Sequence, residues 1–300
     1  MAISRMTQKM MSDRALLGMQ AGLDRLSKVQ EQLTTGRVIN RPSDDPTATT
    51  SAMRIRGSVA AQKQYARNAN DALAWLNQTD ATLASMTDQV RRAKDIALQG
   101  ANDGAMGPEA REALATEVDQ IRKGLIATAN GTYLGRPLFG GVTGGSAAYA
   151  ADGTWIGVPA AAGQGVTRTV GEGVQIRVDV EGPTALGPDG DSLFDHLDAL
   201  ATALRSGSSA GMATAIGKLG SDSARITDVQ SSVGARTNRV EQAQTAAGDA
   251  QLSLTNSLSE IENADIAKAT VDLQLQEVAY QAALSATARV MQPSLLDFLR

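Results

Sequence analysis

The chain has 300 residues, a formal net charge of −4 and only 3% aromatic residues. The net negative charge argues against nucleic acid as a partner, because phosphate binding requires clustered Lys and Arg. No stretch approaches the roughly 18 consecutive apolar residues of a membrane-spanning helix, so we expect no membrane insertion. The sequence lacks cysteine and has one histidine, His196, so we expect no metal and no cofactor. His196 itself is expected to be a surface or boundary residue.

The first periodic segment begins near Leu16 and carries a heptad pattern. One seam contains Leu16, Leu23 and Gln30, and the other contains Met19, Leu26 and Leu33. This alternation of three and four residues is typical of a coiled coil. Gly36 is expected to end the helix, and Asp45 is placed to cap the next helix, with Pro46 in its first turn.

A second heptad run covers about residues 47–99, and a third helix is predicted from Pro108 to the stop signal at Asn130-Gly131. Glycine then breaks the helical pattern between Tyr133 and Pro188. Within this stretch, segments 166–170 and 174–180 alternate with period two, which predicts two strands joined by a short loop. A further helix is predicted at about 192–205.

The C-terminal third has the most regular pattern, with apolar residues every seven positions from Ile226 to Ile261. The pattern resumes with Val271, Leu275 and Val278. No proline lies between residues 188 and 293, so a helix of roughly seventy residues is permitted. We therefore predict a mainly α-helical chain with a small β-rich central insert, whose long N- and C-terminal helices pair as a coiled coil or bundle.

The chain ends in a strongly apolar segment. Its large apolar residues are Leu295, Leu296, Phe298 and Leu299. Burying each of them fully is worth about 1.5–3 kcal/mol, so exposure to water is costly. The segment either folds back on the chain's own helices or packs against neighbouring subunits.

Four segments of the sequence resemble the signatures of the flagellin family. Near the N-terminus they are Leu23-Asp-Arg-Leu-Ser27, Leu33-Thr-Thr-Gly-Arg-Val-Ile-Asn40 and Ser43-Asp-Asp-Pro46. Residues 261–269, Ile-Glu-Asn-Ala-Asp-Ile-Ala-Lys-Ala, resemble the C-terminal signature. The resemblance covers roughly residues 1–140 and 221–300, with both signatures near the expected ends.

Two kinds of family member remain open, namely the filament subunit flagellin and the protein that joins hook to filament. The turn Pro42-Ser-Asp-Asp-Pro46, the segment from Thr132 to Gly141 and the ending Ser294–Leu299 are similar to the joining protein. The terminal Arg300 is similar to flagellin. A coiled-coil scaffold outside the flagellum is a further alternative, and an enzyme is disfavoured because no polar site is gathered in the sequence.

The resemblance implies a structural role at the junction between hook and filament, as a base for filament assembly. Implied partners are further copies of this chain in a ring or helical tube and the other hook-associated junction protein on the hook side. The other implied partners are flagellin on the filament side and an export chaperone bound to the C-terminal region. The implied location is the extracellular flagellum, reached through the flagellar type III apparatus without a cleaved signal peptide.

The resemblance also implies a division of the chain into assembly and rod segments. These are an N-terminal assembly helix (1–45), a rod segment (46–140), a β-rich outer domain (141–220), a second rod segment (221–262) and a C-terminal assembly helix with its tail (263–300). The residues expected at subunit interfaces are Leu16, Leu23, Leu26, Leu33, Val271, Leu275, Val278, Leu295, Leu296, Phe298 and Leu299.

Overall fold

A computed structural model describes residues 8–102, 107–161 and 164–291, most of which are helical. The helices are α1 (Gln8–Thr35), α2 (Pro46–Ala101), α3 (Pro108–Ala129), α4 (Gly182–Leu186), α5 (Leu193–Ser206), α6 (Ser209–Glu262) and α7 (Ile266–Met291). Two short antiparallel pairs form the β-structure, β1 (Thr132–Tyr133) with β2 (Arg136–Pro137) and β3 (Thr167–Gly171) with β4 (Val174–Arg177). The predicted fold class, helical with a small β insert, is confirmed.

The chain divides into two compact units. Unit 1 comprises residues 1–60 and 252–300, and unit 2 comprises residues 61–251. Helices α2 and α6 contribute residues to both units. In unit 1, α1 packs against α7, so the predicted pairing of N- and C-terminal helices is present.

Unit 2 contains a continuous hydrophobic core. The heptad positions of α2 in this core are Ala69, Leu76, Leu83, Val90 and Ala97, and those of α6 include Ile226, Val233 and Val240. The largest fully buried side chains include Trp75, Phe139 and Phe194. The period of seven predicted for both helices therefore identifies the faces that meet in the core of this unit.

The β-structure is smaller than the sequence suggested. The strand expected at 174–180 ends at Arg177, although the backbone N–H of Val178 still donates to the carbonyl of Val166 at 2.8 Å. The Asp179 carboxylate then accepts the N–H of Val166 at 2.8 Å, so a side chain replaces the next backbone partner. The predicted β-rich outer domain, 141–220, contains one strand pair, β3 with β4, among its described residues, together with α4 and α5. It also includes the beginning of α6 at Ser209.

The C-terminal third forms two helices rather than one continuous helix of seventy residues. The break lies between Glu262 and Ile266. The N–H of Ala264 donates to the carbonyl of Gly36 at 2.9 Å instead of continuing the helix. Asp265 then caps α7 by accepting the N–H of Lys268 at 3.1 Å. The end of α6 thus coincides with hydrogen bonding to the N-terminal segment of the chain.

Candidate subunit interface

The end of α1 and the beginning of α7 meet through backbone hydrogen bonds. The N–H of Val38 donates to the carbonyl of Glu262 at 2.8 Å, and Arg37 pairs with Asn263 in an antiparallel bridge. Further along both helices, Gly22 lies beside the ring of Tyr280. The two helices therefore run antiparallel, away from a shared origin.

Two adjacent carboxylates in the turn between α1 and α2 have different partners. The Asp44 carboxylate accepts the N–H of Arg41 at 2.9 Å and lies 3.1 Å from Nζ of Lys28. The hydrogen bond from Arg41, with a further contribution from Lys28, lowers the pKa of Asp44. Asp45 caps α2 by accepting the N–H of Ala48 at 2.8 Å, as predicted. This acidic pair fixes both the turn and the start of α2.

The face of α1 that packs in unit 1 differs from the predicted one. Its half-buried positions include Ala15, Met19, Gly22, Leu26, Val29 and Leu33, which recur every three or four residues. The predicted seam of Met19, Leu26 and Leu33 is therefore correct. The other predicted seam is shifted by one residue, because Leu16, Leu23 and Gln30 are exposed. Small residues at positions 15 and 22 leave room for the side chains of a close neighbour, such as the Tyr280 ring.

Helix α7 carries apolar residues on two faces. Ala269 is buried, and Leu273 and Tyr280 are half-buried. On another face, the exposed fractions of Val271, Leu275 and Val278 are 64%, 62% and 63%. Their spacing of four and three residues forms a continuous stripe along a helix. This exposed apolar stripe of α7 has the pattern of a second packing seam.

Unit 1 leaves more large apolar side chains exposed than it buries. Among its described residues, Ala52 and Ala269 are the only buried hydrophobic residues. Leu16, Leu17 and Leu23 of α1 are exposed, in addition to the stripe of α7. Full burial of each such leucine or valine is worth about 1.5–3 kcal/mol, so this surface favours association with another apolar surface. The predicted interface residues of the tail, at 295–299, lie outside the described residues.

Comparison with known proteins decides which family has this arrangement. The model of the bacterial flagellin N-terminal helical region matches residues 6–143, and that of the C-terminal helical region matches residues 216–299. Together they match about three quarters of the chain. The chain belongs to the flagellin family.

Individual relatives include both proteins between which the sequence left a choice. Flagellar hook-associated protein 3 of Escherichia coli is 26% identical over 206 residues, which are 68% of this chain and 61% of that protein. The chain thus spans less than two thirds of this relative. The flagellar filament 33 kDa core protein of Treponema phagedenis is 25% identical over 282 residues, 92% of each chain. The crystal structure of Bacillus cereus FlgL shares the fold, with a TM-score of 0.60, 22% identity, and 69% of this chain matched to 99% of that one.

In this member of the flagellin family, the environment of His196 differs from the predicted one. Its side chain is buried between Asp191 and Asp222, not at the surface. His196 follows Leu193 by three residues and precedes Leu200 by four, so it lies on the apolar face of α5. That spacing is the sequence signal that could have indicated burial. Asp222, 26 residues away, could not have been identified as its partner from sequence.

The described residues also bear on metal binding and membrane insertion by this flagellin relative. They contain no group of three or more His, Cys, Asp or Glu side chains placed to hold a metal ion. None of the described helices combines the length and apolar character needed to cross a bilayer.

Proposed function

We propose that this chain is a structural component of the bacterial flagellum that forms the junction between hook and filament and provides a base for filament assembly. The observation that carries the proposal is the exposed apolar stripe of α7, in a unit whose described part has only two alanines as buried hydrophobic residues. A surface of this kind needs a partner to cover it. Membership of the flagellin family makes the flagellum the place where that partner is found.

The proposed interface combines residues of both terminal helices. Val271, Leu275 and Val278 present the stripe of α7, and Leu16 and Leu23 present the exposed leucines of α1. Leu26 and Leu33 are half-buried, and we assign them a role in both α1–α7 packing and assembly. Leu295, Leu296, Phe298 and Leu299 are proposed to extend the same interface.

The proposed partners follow from a junction role. Copies of this chain would form a ring or helical tube through the terminal helices. The other hook-associated junction protein would bind on the hook side and flagellin on the filament side, and an export chaperone would bind the C-terminal region before assembly. The role is structural rather than enzymatic. Its place is the extracellular flagellum, reached by type III export without a cleaved signal peptide.

A second candidate is flagellin itself, the filament subunit. The observation in its favour is the match to the Treponema phagedenis filament core protein over 92% of both chains. The hook-associated relative matches a smaller share of this chain, at similar identity. Both candidates use the same apolar surface of unit 1, so only a test of the assembled organelle separates them.

Deletion of the gene separates the two candidates. Cells are examined by electron microscopy, and the medium is assayed for flagellin. A junction protein predicts intact hooks without filaments and flagellin monomers released into the medium. Bare hooks without released flagellin would identify the chain as the filament subunit. Ordinary filaments would contradict both candidates.

A substitution in the stripe tests the interface itself. Leu275→Asp places a charge at a position whose burial the assembly requires, so we expect export into the medium but loss of incorporation. Gln274→Asp is the matched control, because it adds the same charge at an exposed polar position of the same helix. Normal incorporation of the Leu275 variant, or equal loss with the control, would contradict the assigned interface.

A further inference from the structure

The two long helices α2 and α6 carry charge of opposite sign in segments that lie side by side. Residues 46–70 of α2, the basic segment, contain no acidic residue, and their basic residues are Arg54, Arg56, Lys63 and Arg67. Residues 240–262 of α6, the acidic segment, contain no basic residue, and their acidic residues are Glu241, Asp249, Glu260 and Glu262. In unit 2 the two segments are neighbours, since Nε2 of Gln244 donates to Oδ1 of Asn70 at 2.7 Å.

The charges of both segments that belong to unit 2 lack partners of opposite sign. They are Lys63 and Arg67 on α2 and Glu241 and Asp249 on α6, and all four are exposed. The Arg67 guanidinium is hydrogen-bonded to the neutral amide oxygen of Gln64 at 2.5 Å. Within the part of the chain that the structure describes, none of the four forms an ion pair. Two positive and two negative charges are therefore left unneutralised by the monomer's own side chains.

Other charges of the same helices are paired. Arg56 of α2 lies 2.7 Å from Glu262 of α6 in unit 1, and Arg92 of α2 lies 2.6 Å from Glu117 of α3 in unit 2. The chain thus forms ion pairs where its own folding brings opposite charges together. The unpaired charges of the two segments lie instead on exposed faces, where a second molecule can reach them.

The exposed face of α6 is suited to basic side chains. An open depression of about 510 Å³ lies along it, lined by Asn238, Glu241, Gln242, Thr245, Ala246 and Asp249. Each of these side chains is neutral or negative, and the lining includes both unpaired carboxylates. Carboxylate, amide and hydroxyl oxygens all accept hydrogen bonds from ammonium and guanidinium groups. The depression therefore matches the long basic side chains that the basic segment presents.

We propose that the basic segment of α2 in one copy of this chain binds the acidic segment of α6 in a second copy. Charge complementarity identifies the occupant, because two basic segments or two acidic segments brought together would repel each other. The inference rests on the proposed function in one respect, that copies of this chain meet in an assembly. When a copy offers its two segments to two different neighbours, the contact repeats from copy to copy and builds a ring or a helical tube.

The charged contact and the apolar stripe of α7 have different physical effects. Exposed ion pairs add little affinity, because water and salt screen them. Their effect is on specificity, since they disfavour pairings that oppose like charges. Burial of the stripe supplies the favourable free energy of association. The two segments thus determine which surfaces of neighbouring copies face each other.

Charge reversal tests the contact in cells that lack the chromosomal gene, by measuring how much of the chain is present in isolated flagella. Variant A, Lys63→Glu with Arg67→Glu, presents acidic charges on both helices of unit 2. Variant B, Glu241→Lys with Asp249→Lys, presents basic charges on both. Each variant alone opposes like charges at the contact, so we expect its content in flagella to fall at least about tenfold.

Production of both variants in the same cell is the decisive step. The basic α2 of variant B then meets the acidic α6 of variant A, and the reversed pair is also complementary. We expect the combined content to recover to above about half that of the wild type. Repulsion within one copy would not be relieved by mixing. Normal incorporation of either variant alone, or no recovery in the mixture, would overturn the proposal.

A control variant separates the contact from net charge. Arg91→Glu with Lys123→Glu changes the net charge as much as variant A does, at exposed positions outside both segments. We expect normal incorporation of this control, and a loss equal to that of variant A would overturn the proposal. All three variants keep the α7 stripe. Absence of the wild type itself from flagella would contradict the proposed function, whereas unaffected variants beside an incorporated wild type contradict this inference alone.

A second measurement avoids any change of charge. A carbodiimide joins the Lys63 amine to a nearby carboxylate as an amide, and Lys63→Arg keeps the charge but removes the amine. In treated wild-type flagella we expect dimers of this chain in which Lys63 is joined to Glu241 or Asp249. Flagella of the Lys63→Arg variant should contain a normal amount of the chain but lack these dimers. Wild-type dimers joined only at other residues would overturn the proposal.

Discussion

Unit 1 and unit 2 are both built from long helices, yet they differ in how far their apolar side chains are buried. Unit 2 buries the heptad positions of α2 and α6 together with Trp75, Phe139 and Phe194. Unit 1 buries two alanines among its described residues and exposes the stripe of α7. The difference teaches that periodicity identifies an apolar face, but not whether the same chain supplies the partner that covers it.

Polar contacts take the place of a core in unit 1. The Arg56 guanidinium lies 2.7 Å from Glu262, and Lys28 lies 3.1 Å from Asp44. The Lys28–Asp44 pair is of the partly exposed kind, which contributes only about 0–1 kcal/mol. The two pairs connect α2 to the end of α6 and α1 to the turn that follows it. Unit 1 thus has a specified geometry with few buried apolar residues of its own among those described.

The largest effect is expected in the core of unit 2. Leu83→Ala removes a fully buried side chain of α2 and leaves a cavity, so the free energy of unfolding should fall by about 2–5 kcal/mol. Urea unfolding followed by circular dichroism measures the loss. A cost below about 1 kcal/mol would mean that the core of unit 2 is no better packed than unit 1.

The faces of the long helices were predictable to different degrees. In the parts of α2 and α6 that belong to unit 2, the large residues at every seventh position are buried, so hydropathy alone identified the core. In α1 the half-buried seam includes Ala15 and Gly22, which have little hydrophobic signal, beside the exposed Leu16 and Leu23. A search for apolar residues at every seventh position favours the leucines, because large apolar side chains give the stronger hydrophobic signal. Close helix packing favours the small residues, which is why the prediction was shifted by one residue.

Other features depended on contacts distant in sequence. The break between α6 and α7 arises where Ala264 bonds to Gly36, and the early end of β4 involves the carboxylate of Asp179. Neither partner is visible in a local pattern. The stripe residues Val271, Leu275 and Val278 were identified from spacing, and their place at a subunit interface stays a prediction.

An effect of intermediate size on stability is expected from replacing one glycine of each unit by alanine. Gly36 in unit 1 and Gly141 in unit 2 have similar positive φ angles of 69° and 65°. A Cβ at Gly36 would meet open space, whereas a Cβ at Gly141 would collide with the backbone carbonyl of Val158. Alanine at either position costs about 1–2 kcal/mol of backbone strain. Gly141→Ala should cost about 1–3 kcal/mol more because backbone atoms must also move.

Thermal unfolding of the two alanine variants measures this difference. Gly217→Ala is a useful reference, since this exposed glycine lies within α6 with open space at its Cβ. There alanine should stabilise the protein by about 0.5–1 kcal/mol through better helix propensity. Equal losses for Gly36→Ala and Gly141→Ala would show that close packing does not distinguish the units.

The smallest effect on the monomer is expected at the stripe of α7. Leu275→Ser replaces a side chain that is already 62% exposed, so the free energy of unfolding should change by no more than about 0.5 kcal/mol. Leu83→Ala is the reference, because it shortens a leucine that has a partner in its own chain. If Leu275→Ser approached the cost of Leu83→Ala, the stripe would be covered within the monomer, and the argument for a subunit interface would fail. An unchanged monomer that no longer enters the flagellum would mean that the burial energy of this leucine is gained only between subunits.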